Sequence, residues 1–518
     1  MKVILLLGLG LLMACSRYHA PDQALADLPS QFREQKEQSK DSAVSKEDSK
    51  SQALALNLSW WEVFKNPQLN QMVEQLLSNN LSVAQAKTRV VQMRALATQA
   101  GSQLWPTLDL NLGFTRRKQL NMFSRLNRTP SIPQTSTGGT TAASSATKMP
   151  TSFQLDTYSS ALAVSYELDL FGRLKSLSKA SEIDAIATEQ DMQAMALSLV
   201  STFVDLWLQS IEAHQKLKLL KSQLAEDEKL LTLSKSRFSQ GLGISIDVLQ
   251  QTQQRDRTRI QLPMLEGQIA VLKRKMAALL GKTDFQIDLP QALPILDQSM
   301  PKLGVPSEVL FARPDIRAAH ARLKAADARV SAAVSARYPA FRIGADLGYQ
   351  SFDIKTLFDE WIGSIALNLV SPIFDAGRRA SEQQRMEEML KERVHALAEL
   401  SLNAFNEIED ALTLERQQNE QLSLLNEQMT SAKTLNDRAK SRYLEGVGDF
   451  LTVVTSTQGL YQVQINALTA QRQALSYRVL FHKALGGEIK DSNLKAQNPS
   501  LQTTEKTSTN HQNSTENK

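Results

Sequence analysis

The sequence predicts a mainly α-helical chain with a small β part, built as an internal tandem repeat around very long helices. Three observations predict it. Residues 173–240 are sixty-eight positions without proline or glycine, bracketed by Gly172 and Gly241, and residues 378–445, between Gly377 and Gly446, are sixty-eight more. Pairs of matching residues recur at constant offsets along the chain. Four short stretches alternate apolar and polar residues with the period of a half-covered strand.

Both long runs are rich in Ala, Leu, Lys, Glu and Gln, which are good helix formers. In the first, Leu199, Phe203, Leu206, Leu208 and Ile211, then Leu217, Leu220 and Leu224, recur at helical spacing. An unbroken helix of such length reaches about 100 Å at 1.5 Å per residue. Those apolar stripes are coiled-coil packing rather than a cofactor site.

Taken in order, residues 1–14 form a lysine followed by an apolar run, Val3 to Ala14, ahead of Cys15. The run is far short of the roughly twenty residues a spanning helix needs, so it reads as a signal peptide. Leu12-Met13-Ala14-Cys15 resembles the bacterial lipoprotein box, which makes Cys15, the chain's one cysteine, the expected lipid attachment point. Ser16 after it, by resemblance to sorted lipoproteins, points to the outer membrane. One lipid attachment is a modest anchor, so a second membrane contact is expected. Residues 15–55 read as a flexible tether and 491–518 as a disordered tail, both polar and without apolar periodicity.

The first repeat spans 56–290. An amphipathic segment from Pro67 to about Leu104 stops at Trp105-Pro106. Leu108, Leu110, Leu112 and Phe114 then alternate with polar residues, giving a strand at about 107–116. A Ser/Thr/Gly/Pro-rich loop follows, opened by the basic run Arg116, Arg117, Lys118, Arg125 and Arg128, which either meets lipid phosphates or is solvated. A second strand covers about 158–168, the long helix 173–240, and a return helix 246–280 that Pro263 should kink. The second repeat, 291–490, holds a helix at 314–338, strands at about 340–350 and 363–371, the long helix 378–445 and a return helix 450–486. The register is constant. Pro106/Pro339 and Arg89/Arg322 are 233 apart, whereas Gly172/Gly377, Arg237/Arg442, Gly241/Gly446 and Gly281/Gly486 are 205 apart. The offset changes once, in the strand–strand loop, and such constancy indicates duplication.

In each half the two shorter helices sum to about one long one, so they are expected to stack beside it, with the strand pairs at one end and the Gly-x-Gly turns at the other. Strands of this length cross a bilayer when tilted, but four cannot close a barrel. Open edges in lipid cost several kcal/mol per backbone group, so several copies must share one barrel. Two copies give eight strands and a filled interior; three give twelve and room for a lumen, lined by Asp109, Asn111, Asp346 and Asn368.

A net charge of +5 over 518 residues is too small to argue for nucleic acid. With one cysteine and six scattered histidines there is no metal-ligand spacing, and no nucleophile–base pair or phosphate loop is present. No catalytic, cofactor or metal residues are therefore expected, and an enzyme is the least favoured class.

Four motifs, in order, carry a family resemblance: Leu168-Asp-Leu-Phe-Gly-Arg173, Arg313-Pro-Asp-Ile-Arg-Ala-Ala319, Pro372-Ile-Phe-Asp-Ala-Gly-Arg378, and the paired Arg-aromatic-x-x-Gly-x-Gly turns. The chain resembles the TolC/OprM outer-membrane efflux family over roughly residues 55–487, most of all its lipid-modified NodT-type branch. The resemblance implies a homotrimer: a shared 12-stranded transmembrane β-barrel above a long helical (coiled-coil) barrel in the periplasm. It implies a periplasmic adaptor (membrane fusion) protein and an inner-membrane pump of the resistance-nodulation-division class as partners. It also assigns sites. Gly172, Arg173, Gly377 and Arg378 form the strand-to-helix motifs. Arg237, Gly241, Gly243 and Asp247 belong to the first periplasmic turn, and Arg442, Gly446, Gly448 and Asp449 to the second, where adaptors dock. Thr452 and Thr455 stand where relatives often carry aspartates, so an acidic constriction ring would have to come from Asp449 or Asp247. The function so implied is passive export of small toxic compounds. The alternatives are a duct for type I protein secretion, or a periplasmic scaffold lipoprotein without a pore.

Overall fold

The computed structural model describes residues 59–120, 152–284, 289–295 and 306–487. Cys15, the signal peptide, the tether, the tail, Arg125 and Arg128 lie outside the described residues. The chain is mainly α with one small sheet. In order it forms α1 Pro67–Asn79, α2 Leu81–Ser102, β1 Thr107–Leu120, β2 Ser152–Leu168, α3 Arg173–Ser239 and α4 Ser245–Leu279. Then come α5 Pro306–Ala312, α6 Pro314–Ser335, β3 Ala340–Ser351, β4 Trp361–Val370, α7 Arg378–Leu444 and α8 Phe450–Ala484. These divide into two compact units, one holding Leu96–Ser181 and Asp327–Glu388, the other Glu182–Ala326 and Met389 onward together with the residues before Leu96.

In the first unit the sheet has the order β1-β2-β3-β4, antiparallel throughout. One face carries Leu108, Leu110, Leu112 and Phe114, then Leu162 and Val164, then Leu347 and Tyr349, then Trp361, Ile365, Leu367 and Leu369, most of them exposed. The other carries Thr107, Asp109, Asn111, Ser165, Asp346, Ser364 and Asn368. The outer edges of β1 and β4 pair with nothing among the described residues.

The second unit holds the main core. Trp60, Trp61, Phe64, Leu69, Met72, Leu76 and Leu77 pack on Phe203, Val204, Trp207 and Leu208 of α3 and on Met276 and Leu280. α1 starts where the sequence says it should: Asn66 accepts from the Leu69 N–H at 2.9 Å and Pro67 takes the first helical position, where its missing donor costs nothing. α3 contains a stretch long and apolar enough to cross a membrane, but 61% of that stretch is buried, as a core helix would be.

Three sequence expectations are corrected. The helix expected from Pro67 to about Leu104 is two helices, because Asn80 adopts extended backbone and caps α2, accepting from the Ser82 and Val83 N–H groups. The first strand runs on to Leu120 and the second starts at Ser152; the added rungs, Arg117 with Leu155, Lys118 with Gln154, Gln119 with Phe153 and Leu120 with Ser152, mix polar and apolar residues, so alternation fades although pairing continues. The helix expected at 314–338 ends at Ser335. α4 continues through Pro263 as one helix.

The repeat is visible in the backbone. Among the described residues, the six glycines with positive φ are three pairs 205 apart: Gly172 (75°) and Gly377 (85°), Gly241 (73°) and Gly446 (82°), Gly281 (70°) and Gly486 (76°). Asn80 and Arg313, 233 apart, occupy matching places with different chemistry. Asn80 Nδ2 donates to the Leu279 carbonyl at 2.7 Å, whereas Arg313 Nη1 donates to the Ala484 carbonyl at 3.0 Å. Leu279 and Ala484 are themselves 205 apart. The Arg313 guanidinium is buried and also holds Asp315 and Glu407, both at 2.8 Å. Arg313→Ala leaves the half-buried Asp315 carboxylate and an orphan helix carbonyl without their donor, so it should lower unfolding stability by about 3 kcal/mol, measured as a shift of the urea midpoint. Asn80→Ala loses one neutral bond and a helix cap, about 1 kcal/mol.

Candidate functional site

The two Gly-x-Gly turns reverse the chain between α3 and α4 and between α7 and α8. Both use the same stop. Leu242 N–H donates to the Arg237 carbonyl at 2.9 Å and Val447 N–H to the Arg442 carbonyl at 3.1 Å, each closing over a glycine of positive φ. This is the 6→1 bond of a Schellman ending, and it satisfies carbonyls the helix leaves open. The second glycine matters for space. A Cβ at Gly448 would sit 2.8 Å from the Tyr443 nitrogen, and one at Gly243 would sit 3.4 Å from the Phe238 nitrogen. α8 begins just after Asp449, whose side chain makes no capping bond, and Asp247 lies in the first turn of α4.

The two arginines behave differently. Arg237 reaches across to the other hairpin: Nη1 donates to the Tyr443 carbonyl at 3.0 Å, and the guanidinium lies 4.6 Å from the Tyr443 ring centroid. Tyr443 is buried, with its ring centroid 5.1 Å from that of Phe450, in a cluster with Leu230, Ala439, Val453 and Val454. Burial pushes the Asp247 carboxyl above its ordinary range, and Asp449 adds to this while Arg237 opposes it. Burial also raises the Tyr443 hydroxyl. So Arg237, Asp247 and Asp449 share one electrostatic neighbourhood. The Arg442 side chain is exposed and makes no ion pair or hydrogen bond among the described residues. Thr452 and Thr455 are exposed too, and the Thr455 hydroxyl only bonds back to its own helix.

Sequence reasoning missed the polar layer behind the turns. Asp227 is 1% exposed and accepts from Thr258 Oγ1 at 2.7 Å, while Gln251 Nε2 donates to the Asp227 carbonyl at 2.9 Å. Burial pushes the Asp227 carboxyl up, against the pull of these donors. Beside it Lys440 bridges to Glu226 at 2.6 Å, and burial lifts Tyr461 to about 12. Asn436 accepts from Thr457 at 2.7 Å. A polar residue at an inward position of a long helix would have been the signal.

The strand-to-helix motifs sit in the first unit. Glu167 bridges Arg173 at 2.6 Å and Arg342 at 3.2 Å. Asp375 accepts from the Gly377 and Arg379 N–H groups and pairs with the Arg379 side chain at 3.0 Å, which fastens the start of α7. Arg173 and Arg378 line a cavity of about 490 Å³ with Phe171, Tyr338 and Pro372.

Residues 72–282 and 305–487 match the model of a family described as outer membrane efflux protein. The chain belongs to that family. Its members are channel proteins of the outer membrane rather than enzymes, and this chain is the outer-membrane component of an efflux system, with its helical part in the periplasm. It is 31% identical over 441 residues to the pyoverdine export outer membrane protein OpmQ of Pseudomonas putida, spanning 85% of this chain and 90% of the relative. It is 31% identical over 460 residues to the toluene efflux pump outer membrane protein TtgF, from another strain of Pseudomonas putida, spanning 86% and 90%. The fold matches the open-state structure of the Neisseria gonorrhoeae MtrE outer membrane channel with a TM-score of 0.74 at 23% identity, covering 91% of this chain and 98% of that one.

The unequal turns and the buried aspartate behind them can each be tested. Arg237→Ala removes a charge-assisted bond and a cation–π contact, so it should cost about 2 kcal/mol, whereas Arg442→Ala should change stability by less than about 0.5 kcal/mol; thermal unfolding compares them. The Asp227 carboxyl is raised in the folded state, so its favourable contribution is complete below the unfolded value near 4 and is lost as pH rises through the folded one. Asp227→Asn, which keeps an acceptor for Thr258, should therefore raise the unfolding midpoint at pH 8 more than at pH 5.

Proposed function

We propose that three copies of this chain close a twelve-stranded barrel over a helical barrel and form a passive exit duct for small toxic compounds, including pyoverdine-like or toluene-like molecules. One observation carries the reading: an amphipathic four-stranded sheet, apolar on one face and polar on the other, with both outer edges unpaired among the described residues. In lipid such edges must be paired, and further copies supply the partners. The relatives' roles, pyoverdine export and toluene efflux, support the cargo class. The duct performs no chemistry of its own; an inner-membrane pump of the resistance-nodulation-division type supplies energy, joined through a periplasmic adaptor.

The paired turns are the adaptor's docking end. Gly241, Gly243, Gly446 and Gly448 permit the tight reversals. Arg237, through Tyr443, holds the hairpins together against the mutual repulsion of Asp247 and Asp449, and the exposed Arg442 side chain is free to meet the adaptor. Lipid on Cys15 would give the second membrane contact that makes anchoring stable.

In the barrel, pairing places Asp109 and Asp346 in one row, through Ala163 to Ser364. Three copies would set a ring of these carboxylates around the lumen and favour cations. Purified protein in planar bilayers should therefore conduct with a cation preference, and Asp109→Asn with Asp346→Asn should move the reversal potential in a salt gradient toward zero. A monomer that leaves bilayers sealed would sink the duct.

A further inference from the structure

β1 and β2 outlast the rest of the sheet. β2 meets β3 no further than Tyr158 against Ser351, whereas β1 and β2 stay paired out to Leu120 against Ser152. The resulting two-stranded ribbon lies at the end of the strands opposite to where β1 leaves α2 and β2 leads into α3. In a chain of the outer membrane, that far end is the external one.

The ribbon and the loop it carries hold the charge of the protein. Residues 115–157 contain six Lys or Arg and a single acidic residue, Asp156, a net +5 that equals the net charge of all 518 residues. Everywhere else positive and negative side chains cancel. An uneven distribution of this kind is an electrostatic footprint rather than a solubility device.

Where the described cations lie is the second observation. The apolar face ends in an aromatic band: Phe114 with Tyr158 at 5.0 Å, and Tyr349 with Phe358 at 5.2 Å, beside Trp361. Aromatic girdles of this sort mark the edge of the hydrocarbon in membrane barrels. With period two, the same face of β1 continues past Phe114 to Arg116 and Lys118, while Arg117 falls on the other face. At about 3.4 Å per residue and a tilt near 40°, Arg116 lies about 5 Å and Lys118 about 10 Å above the band, the depth of the headgroup layer.

Neither cation is fully neutralised. Asp156 accepts from Arg116 Nε and Nη2, both at 2.7 Å, which leaves Nη1 outward, and the guanidinium sits 5.6 Å from the Phe114 ring. Lys118 faces Gln154 across the ribbon and has no acidic partner among the described residues.

We propose that Arg116 and Lys118 form a docking surface for the phosphate groups of the outer-leaflet glycolipid, on the membrane-facing side of the ribbon just outside the aromatic band. Asp156 orients Arg116 and tempers its charge. The surface rests on the reading of the sheet as part of a barrel with this face in lipid. It gives the barrel a fixed depth in the membrane.

The test uses the purified full-length protein and lipopolysaccharide, intact or with its phosphates removed, with binding followed by native mass spectrometry. A juxtamembrane cation is worth about a fivefold change in lipid affinity, so Arg116→Gln with Lys118→Gln should weaken binding about 25-fold. Asp156→Asn should tighten it about fivefold, by the same arithmetic with the sign reversed. The charge-keeping pair Arg116→Lys and Lys118→Arg should leave binding unchanged. Dephosphorylated lipid should bind wild type as weakly as intact lipid binds the double Gln variant. Equal binding by wild type and the double Gln variant overturns the proposal, as does indifference to the phosphates. Weaker binding by Asp156→Asn also overturns it, since the ion pair would then serve only to hold the ribbon. Bilayer conductance of the same preparations separates the two readings. Channels that conduct normally while ignoring lipid phosphates refute the docking surface alone, and a wild type that never conducts refutes both.

Discussion

The peptide group's need for a hydrogen bond governs this molecule more than any side chain does. Helices satisfy it internally, which is why α3 and α7 can each run for 67 residues with no help from neighbours beyond packing. A sheet satisfies it only between strands, and among the described residues this one stops at four. In water an unpaired edge strand is a modest liability; in hydrocarbon it is prohibitive. A chain with a sheet that is apolar on one face and, among the described residues, unfinished at both edges is therefore incomplete alone, and other copies of itself complete it.

The same need shapes the turns. Each long helix must end without leaving its last carbonyls bare, and both do so with a glycine in the left-handed region and a 6→1 bond. The hairpins are then free to differ in their side chains. Arg237 commits Nη1 to the Tyr443 carbonyl, whereas the Arg442 guanidinium stays in solvent. Helices of equal length therefore end in tips of unequal chemistry, one tied across to its neighbour and one open to solvent.

Much of this was legible in the sequence, for physical reasons. Breaker-free runs announce long helices because proline and glycine carry the largest helix penalties. The offsets of 205 and 233 announced the duplication, and the paired positive-φ glycines sit 205 apart. What escaped were features made by residues far apart in sequence or by polar groups facing inward. Tyr443 looked like one aromatic residue of a turn motif; only the fold sets it under a guanidinium 206 positions away. Asp227 looked like one more acid in a charged helix. Strand ends escaped where polar and apolar residues share the same rungs, since alternation reports burial and the ladder of β1 and β2 does not require it.

The capping residues Asn80 and Arg313 show how far the halves have diverged. Each ties a return helix to the start of its repeat, one with a neutral amide and the other with a buried cation that needs two carboxylates to be tolerated. Once those carboxylates existed in only one half, the ancestral symmetry could no longer be restored by exchange. A chain assembled from two copies of either half would inherit one kind of fastening twice, in surroundings that evolved for both. The duplication that built this protein has become a division of labour between its parts.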